Sequence, residues 1–111
     1  MAQRRELIKG SIDSLLLCLI VRQPMYGYRI IKELERKSQG YFKFKEGTLY
    51  PALHRLEKTG LIRGEWQTLS SGRQRRYYYI TEKGLRSTVA KRSQWRDFLV
   101  AMNLIIQPAP E

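Results

Sequence analysis

The residues with the most evident capacity for catalysis are His54 and Cys18, the chain's only histidine and only cysteine. A general base needs a group that orients it and a nucleophile or substrate within reach. His54 stands beside Arg55 and Lys58, and Glu57 and the neighbouring leucines complete no triad. A zinc site needs several ligands, and one His with one Cys cannot supply them. No phosphate-binding glycine loop is present. The expectation is therefore no enzyme, no catalytic residue, no metal and no cofactor.

The chemistry that remains is electrostatic. Lys and Arg number 21 against 10 acids among 111 residues, a formal charge of +11. Such an excess on a small chain favours a polyanionic partner, nucleic acid or an anionic membrane surface. The excess is not gathered in a tail: residues 1–60 carry 12 basic and 6 acidic side chains, and residues 61–84 carry 5 and 2. It belongs to a folded surface.

Helical periodicity accounts for the first half of the chain. Ile12, Leu15, Leu16, Leu19 and Ile20 predict a strongly apolar first helix over residues 9–22, stopped by Gln23-Pro24. Within it, LLLCLIV makes Cys18 a buried core thiol. That run is too short for a secretory signal or a membrane span, so the cytoplasm is the expected location. YGYRIIKELERKS predicts a second helix from Tyr26 to Ser38, and FKFK links it to a third over residues 46–59. There Leu49, Leu53 and Leu56 face inward, Pro51 interrupts near the start, and Gly60 terminates.

The period then changes. LIRGEWQT and RRYYYIT are strand-like runs around LSSGRQ, a hairpin with Gly72 and Arg73 near its tip. Thr81 is placed to cap a last helix of about 24 residues, roughly 36 Å long, that ends before Pro108. Its apolar stripe is Leu85, Val89, Trp95, Leu99, Met102 and Ile106. So small a body cannot cover that stripe, so a second copy of the chain is expected to do so.

Three short helices and a basic hairpin predict a mainly α (α+β) fold, a winged helix-turn-helix over residues 1–80. The long dimerisation helix follows over 81–107. In that arrangement the third helix enters the DNA major groove and the wing follows the backbone. Thr48, Pro51, His54, Arg55 and Lys58 then line the outward side of the third helix, and Lys43 and Lys45 lead into it. The wing adds Arg73, Gln74, Arg75 and Arg76.

The run GTLYPALHRLEKTGLI resembles the recognition-helix motif of the PadR family of transcriptional regulators. GRQRRYYYITEKG is similar to that family's basic turn, paired tyrosines and Thr-x-x-Gly helix entry, and YGYRIIKELE to its second helix, with Tyr26 where a histidine is common. The resemblance spans roughly residues 12–84, and the short remainder is like the subgroup with a single dimerising helix. It implies a homodimeric, ligand-responsive regulator, usually a repressor, on double-stranded DNA with a palindromic operator. By the same analogy Thr48, Tyr50 and Pro51 contact DNA, and Tyr26 meets a phosphate.

Trp95 has two readings. A Trp within the stripe is most simply an interface anchor. In some short relatives of this kind a Trp in the last helix walls a cavity at the dimer centre for flat aromatic compounds. Arg92, Arg96 and Leu99 stand around Trp95 on the helix, and the two arginines suit an anionic or carboxylate-bearing ligand or are simply solvated. Two other functions remain open on the sequence: a basic RNA-binding or ribosome-associated winged helix, and a protein-interaction or ligand-sequestering module.

Overall fold

The computed structural model describes residues 10–108. Lys9 and the rest of the predicted domain's first nine residues lie outside that range. Among the described residues four helices and a three-stranded sheet follow one another as α1 (Ile12–Ile20), β1 (Met25–Tyr26), α2 (Gly27–Lys37), α3 (Glu46–Lys58), β2 (Ile62–Thr68), β3 (Gln74–Ile80) and α4 (Glu82–Ile106).

The body forms because the leucines and isoleucines of three helices share one side. Leu16, Leu17 and Ile20 of α1, Ile30 of α2, Leu49 and Leu53 of α3 and Ile62 of β2 are fully buried together. Burying one such side chain stabilises the fold by about 1.5–3 kcal/mol. Phe42 and Phe44 pack against this core while Lys43 and Lys45 stay exposed, so FKFK alternates as its sequence implies. Cys18 departs from expectation. It is only half-buried, because it lies on the flank of α1, where Arg92 of α4 and Arg22 approach the thiol. Burial still pushes that thiol's pKa up, against the pull of the two guanidinium groups.

The sheet is antiparallel in the order β1-β3-β2. Ile62 pairs with Ile80 at the open end of the hairpin and Thr68 with Gln74 next to the turn. Met25 and Tyr26 pair with Tyr78 and Tyr77, which trims the predicted second helix by one residue at its start.

The joints between elements follow local rules. α3 ends in a Schellman arrangement: Gly60 has φ +79°, and Leu61 N–H donates to the Leu56 carbonyl at 2.9 Å. Thr81 caps α4, its hydroxyl accepting from Gly84 N–H at 3.0 Å. The same hydroxyl donates to the Gly60 carbonyl at 2.6 Å, and Lys83 Nζ donates to the Thr59 carbonyl at 2.8 Å. A Cβ on Gly84 would lie 1.9 Å from the Leu61 carbonyl oxygen, so no larger residue fits without moving the two segments apart. The base of α4 is thus locked to the end of α3.

Beyond that base α4 leaves the body. The molecule measures 63 × 29 × 22 Å, with a radius of gyration of 16.1 Å. A compact chain of this length would give about 13 Å. Among the described residues Trp95 makes the last hydrogen bond back to the body, its Nε1–H donating to Ser14 Oγ of α1 at 2.9 Å. Leu99, Val100, Leu104, Ile105 and Ile106, further along, are all more than half exposed. Among the described residues no helix is long and apolar enough to cross a membrane.

Candidate nucleic-acid interface

α3 and the β2–β3 hairpin enclose an open groove of about 700 Å³. Tyr26, Gly27 and Tyr28 form one wall, Glu46, Tyr50 and His54 of α3 another, and Trp66 with Arg73, Gln74, Arg75 and Arg76 the third. A second hollow of about 680 Å³ adjoins it, bounded by His54, Arg55, Lys58, Trp66 and Arg76.

The aromatic rings are placed by close contacts. Tyr50 lies on Gly27, where an added Cβ would come within 2.4 Å of the phenol oxygen. The glycine that opens α2 therefore admits the ring that α3 sends across. Burial raises the Tyr50 pKa, and the nearby Glu46 carboxylate adds to the effect, so the phenol remains a hydrogen-bond donor at neutral pH. Tyr26 meets Tyr77 edge-on at 5.5 Å and carries the Arg75 guanidinium over its face at 4.2 Å. Arg75 is thereby held in line with the groove, and its charge has no ion-pair partner among the described residues.

The next arginine is spoken for. Arg76 forms an ion pair with Glu57 of α3 and has its guanidinium 5.5 Å from the Trp66 ring. Its role is to pin the wing to the helix, and its charge is largely neutralised there. Arg55 is likewise turned aside, its guanidinium meeting Asp13 of α1 at 3.1 Å.

The residues singled out in the sequence thus fall into three groups. Tyr26, Tyr50, Arg73 and Arg75 meet in the groove. Thr48 and Pro51 are exposed on α3, and Lys43 and Lys45 are exposed just before it. Arg55 borders the adjoining hollow and pairs with Asp13 of α1. Pro51 lies inside the bonded part of α3: the first helical bond runs from Leu49 N–H to the Lys45 carbonyl, so the donor missing at Pro51 is the one Gly47 would have received. Both Gly47 and Pro51 are exposed. That carbonyl therefore lies within reach of water.

On α4, Trp95 lines a shallow hollow of about 340 Å³ with Ser14, Lys91, Gln94 and Phe98, and meets the Phe98 ring at 5.6 Å. Arg92, Arg96 and Leu99 do not border it; Arg92 lies toward Cys18, while Arg96 and Leu99 are exposed. No cluster of three or more His, Cys, Asp or Glu side chains that could hold a metal occurs among the described residues.

Sequence reasoning did not single out Trp66, although a signal was available. Alternation from buried Ile62 puts Gly64 and Trp66 on the face of β2 that turns toward α3. The Gly27–Tyr50 contact had no local signal, since it joins segments that meet only in the folded chain.

The comparisons agree with this geometry. Residues 16–90 match the model of the transcriptional regulator PadR-like family. A transcriptional regulator of Mycobacterium tuberculosis is 38% identical over 80 residues, covering 72% of this chain and 71% of that protein. The crystal structure of a PadR-like transcriptional regulator from Bacillus cereus superposes with a TM-score of 0.83 at 31% identity, covering 94% and 99% of the two chains. A PadR family regulator from Clostridium difficile gives a TM-score of 0.75 at 35% identity, over 87% and 99%. A winged helix built on this groove, with its family model matched across both recognition helix and wing, belongs to the PadR-like family of transcriptional regulators.

Proposed function

We propose that the protein is a homodimeric, sequence-specific DNA-binding regulator in the cytoplasm, a repressor that a small aromatic or anionic ligand releases from a palindromic operator. Residues 1–80 form the DNA-binding unit and 81–107 the dimerisation helix.

The observation that carries this reading is the groove between α3 and the wing. Tyr26, Tyr50, Arg73 and Arg75 converge there beside the exposed face of α3, an arrangement suited to a phosphate backbone running alongside a major-groove helix. Tyrosine hydroxyls and arginine guanidinium groups are both donors to phosphate oxygens. Lys43 and Lys45 extend the basic track toward the start of α3, where the helix dipole also favours an anion.

Dimerisation is supported by the length of α4 that this chain leaves uncovered. Leu85, Val89, Leu99, Met102 and Ile106 are each at least 40% exposed. A twofold pairing through this stripe also supplies the symmetry that a palindrome requires. A ligand site near Trp95 is supported by the hollow it shares with Phe98, which offers two aromatic rings and the Lys91 ammonium group. Arg92, Arg96 and Leu99 join such a site only through the partner's arrangement around it.

The test is a genome-wide selection of DNA fragments by the purified protein. The expected result is an enriched palindrome with half-sites about one helical turn apart, roughly 34–36 Å. Recovery of unenriched fragments would remove the sequence-specific reading.

A further inference from the structure

We propose that Trp66 is a DNA-backbone contact bridging recognition helix and wing: its indole N–H donates to a phosphate oxygen while its ring lies against the adjoining deoxyribose. The inference rests on the duplex-binding reading above and adds to it a neutral residue and a specific donor atom.

Trp66 is 64% exposed, although it shares a strand face with Ile62, which is 1% exposed. α3 covers the Ile62 end of that face and leaves the Trp66 end open. The ring is nonetheless held in place. Arg76, directly across the ladder, places its guanidinium 5.5 Å from the ring centre and is itself fixed by Glu57. Gly64 makes room for this, since a Cβ there would come within 2.5 Å of Arg76 Nε. A large ring is thus supported from beneath by an anchored cation and left exposed above.

The surroundings specify the occupant. Trp66 borders both hollows beside α3, and His54 borders both with it. The charged groups lining the two hollows are Arg73, Arg75, Arg76, Arg55 and Lys58 against Glu46 and Glu57, with Glu57 engaged by Arg76 and Arg55 by Asp13. The remaining field favours an anion. The indole N–H is a donor only, and it has no hydrogen-bond partner among the described residues. The large apolar side chains left exposed elsewhere are mainly on α4, so Trp66 is not the centre of an apolar protein-binding patch. A sugar-phosphate strand offers what this position lacks, an anionic acceptor next to an apolar C–H surface.

Because the indole is uncharged, its contact releases no counterion. Its loss should lower affinity without changing the salt slope, unlike the loss of an arginine. Trp66→Phe should bind any short duplex about fivefold to tenfold more weakly, at an unchanged slope in log salt, and Trp66→Ala more weakly still. The full chain labelled with 5-fluorotryptophan gives one resonance for each of its two tryptophans, assigned from Trp66→Phe. Titration with a duplex of arbitrary sequence at low salt should shift the Trp66 signal, and inorganic polyphosphate should shift it less. A bound duplex with an unmoved Trp66 signal, or Trp66→Phe with wild-type affinity, overturns the contact and leaves the DNA-binding reading standing. Failure of the wild-type chain to bind any duplex removes both.

Discussion

The recognition helix and the far half of α4 are both amphipathic helices, yet they stand at opposite ends of completion. In α3, Leu49, Ala52, Leu53 and Leu56 are at most 2% exposed, and its C-terminal end is tied to the base of α4. In α4 after Trp95, side chains of the same apolar kinds are 40–83% exposed. The difference is one of neighbours. α3 is packed against α1, α2 and the sheet, whereas beyond Trp95 α4 extends past the described part of the body, its apolar side chains exposed. One helix is part of a finished core; the other is half of a core.

That contrast can be broken at several points. The largest effect should come from a charge in the uncovered stripe. Leu99→Glu should leave the chain folded but monomeric by light scattering, with a circular-dichroism spectrum close to wild type; a persisting dimer would show that α4 is covered some other way. Leu53→Ala attacks the finished core and should cost about 2–5 kcal/mol in denaturant unfolding. It should do so at any protein concentration, whereas Leu99→Glu should matter only through association.

Smaller effects separate the working face of α3 from its supports. Replacing Arg73 and Arg75 together by Ala should weaken binding to all duplexes alike and flatten the salt slope by roughly one to two units. Tyr50→Ala should erode the preference for operator over random duplex, by about 1–3 kcal/mol if the ring or hydroxyl reads a base. Equal loss on both duplexes would reduce Tyr50 to a packing residue on Gly27. The smallest change is Thr81→Ala, which removes the cap of α4 and should lower stability by about 1 kcal/mol. It should also loosen the link to the end of α3, visible as faster amide exchange at Gly60 and Leu61.

Much of the fold could be read from sequence because its signals are local. Gly60, Thr81, the hairpin runs and the leucines of α3 each state their role within a few residues. What escaped was set by chain segments that meet only after folding. β1 is two residues long and exists because β3 lies beside it. Arg55 is exposed as its place on the helix implies, but nothing nearby in sequence announces its pairing with Asp13, 42 positions away. Arg75 and Arg76 are neighbours in an apparently uniform basic run. Strand alternation sends one to Tyr26 and the other to Glu57, and only the first keeps its charge available. Trp95 fits the stripe by spacing, but its indole N–H turns to Ser14 of its own body.

The lock between α3 and α4 has a mechanical consequence. With Thr81, Lys83 and Gly84 fastened to Thr59, Gly60 and Leu61, the reading head and the long helix move as one piece. α4 is then a lever arm of 25 residues, roughly 37 Å long. If two such arms are joined near their tips, a change of about 5° in their crossing swings each head by about 3 Å, close to the rise of one base pair. The length of the arm acts as a gauge as well. One residue inserted into it would extend the reach by about 1.5 Å and turn the head by about 100° around the arm. The spacing of operator half-sites would thus be written into the residue count of α4.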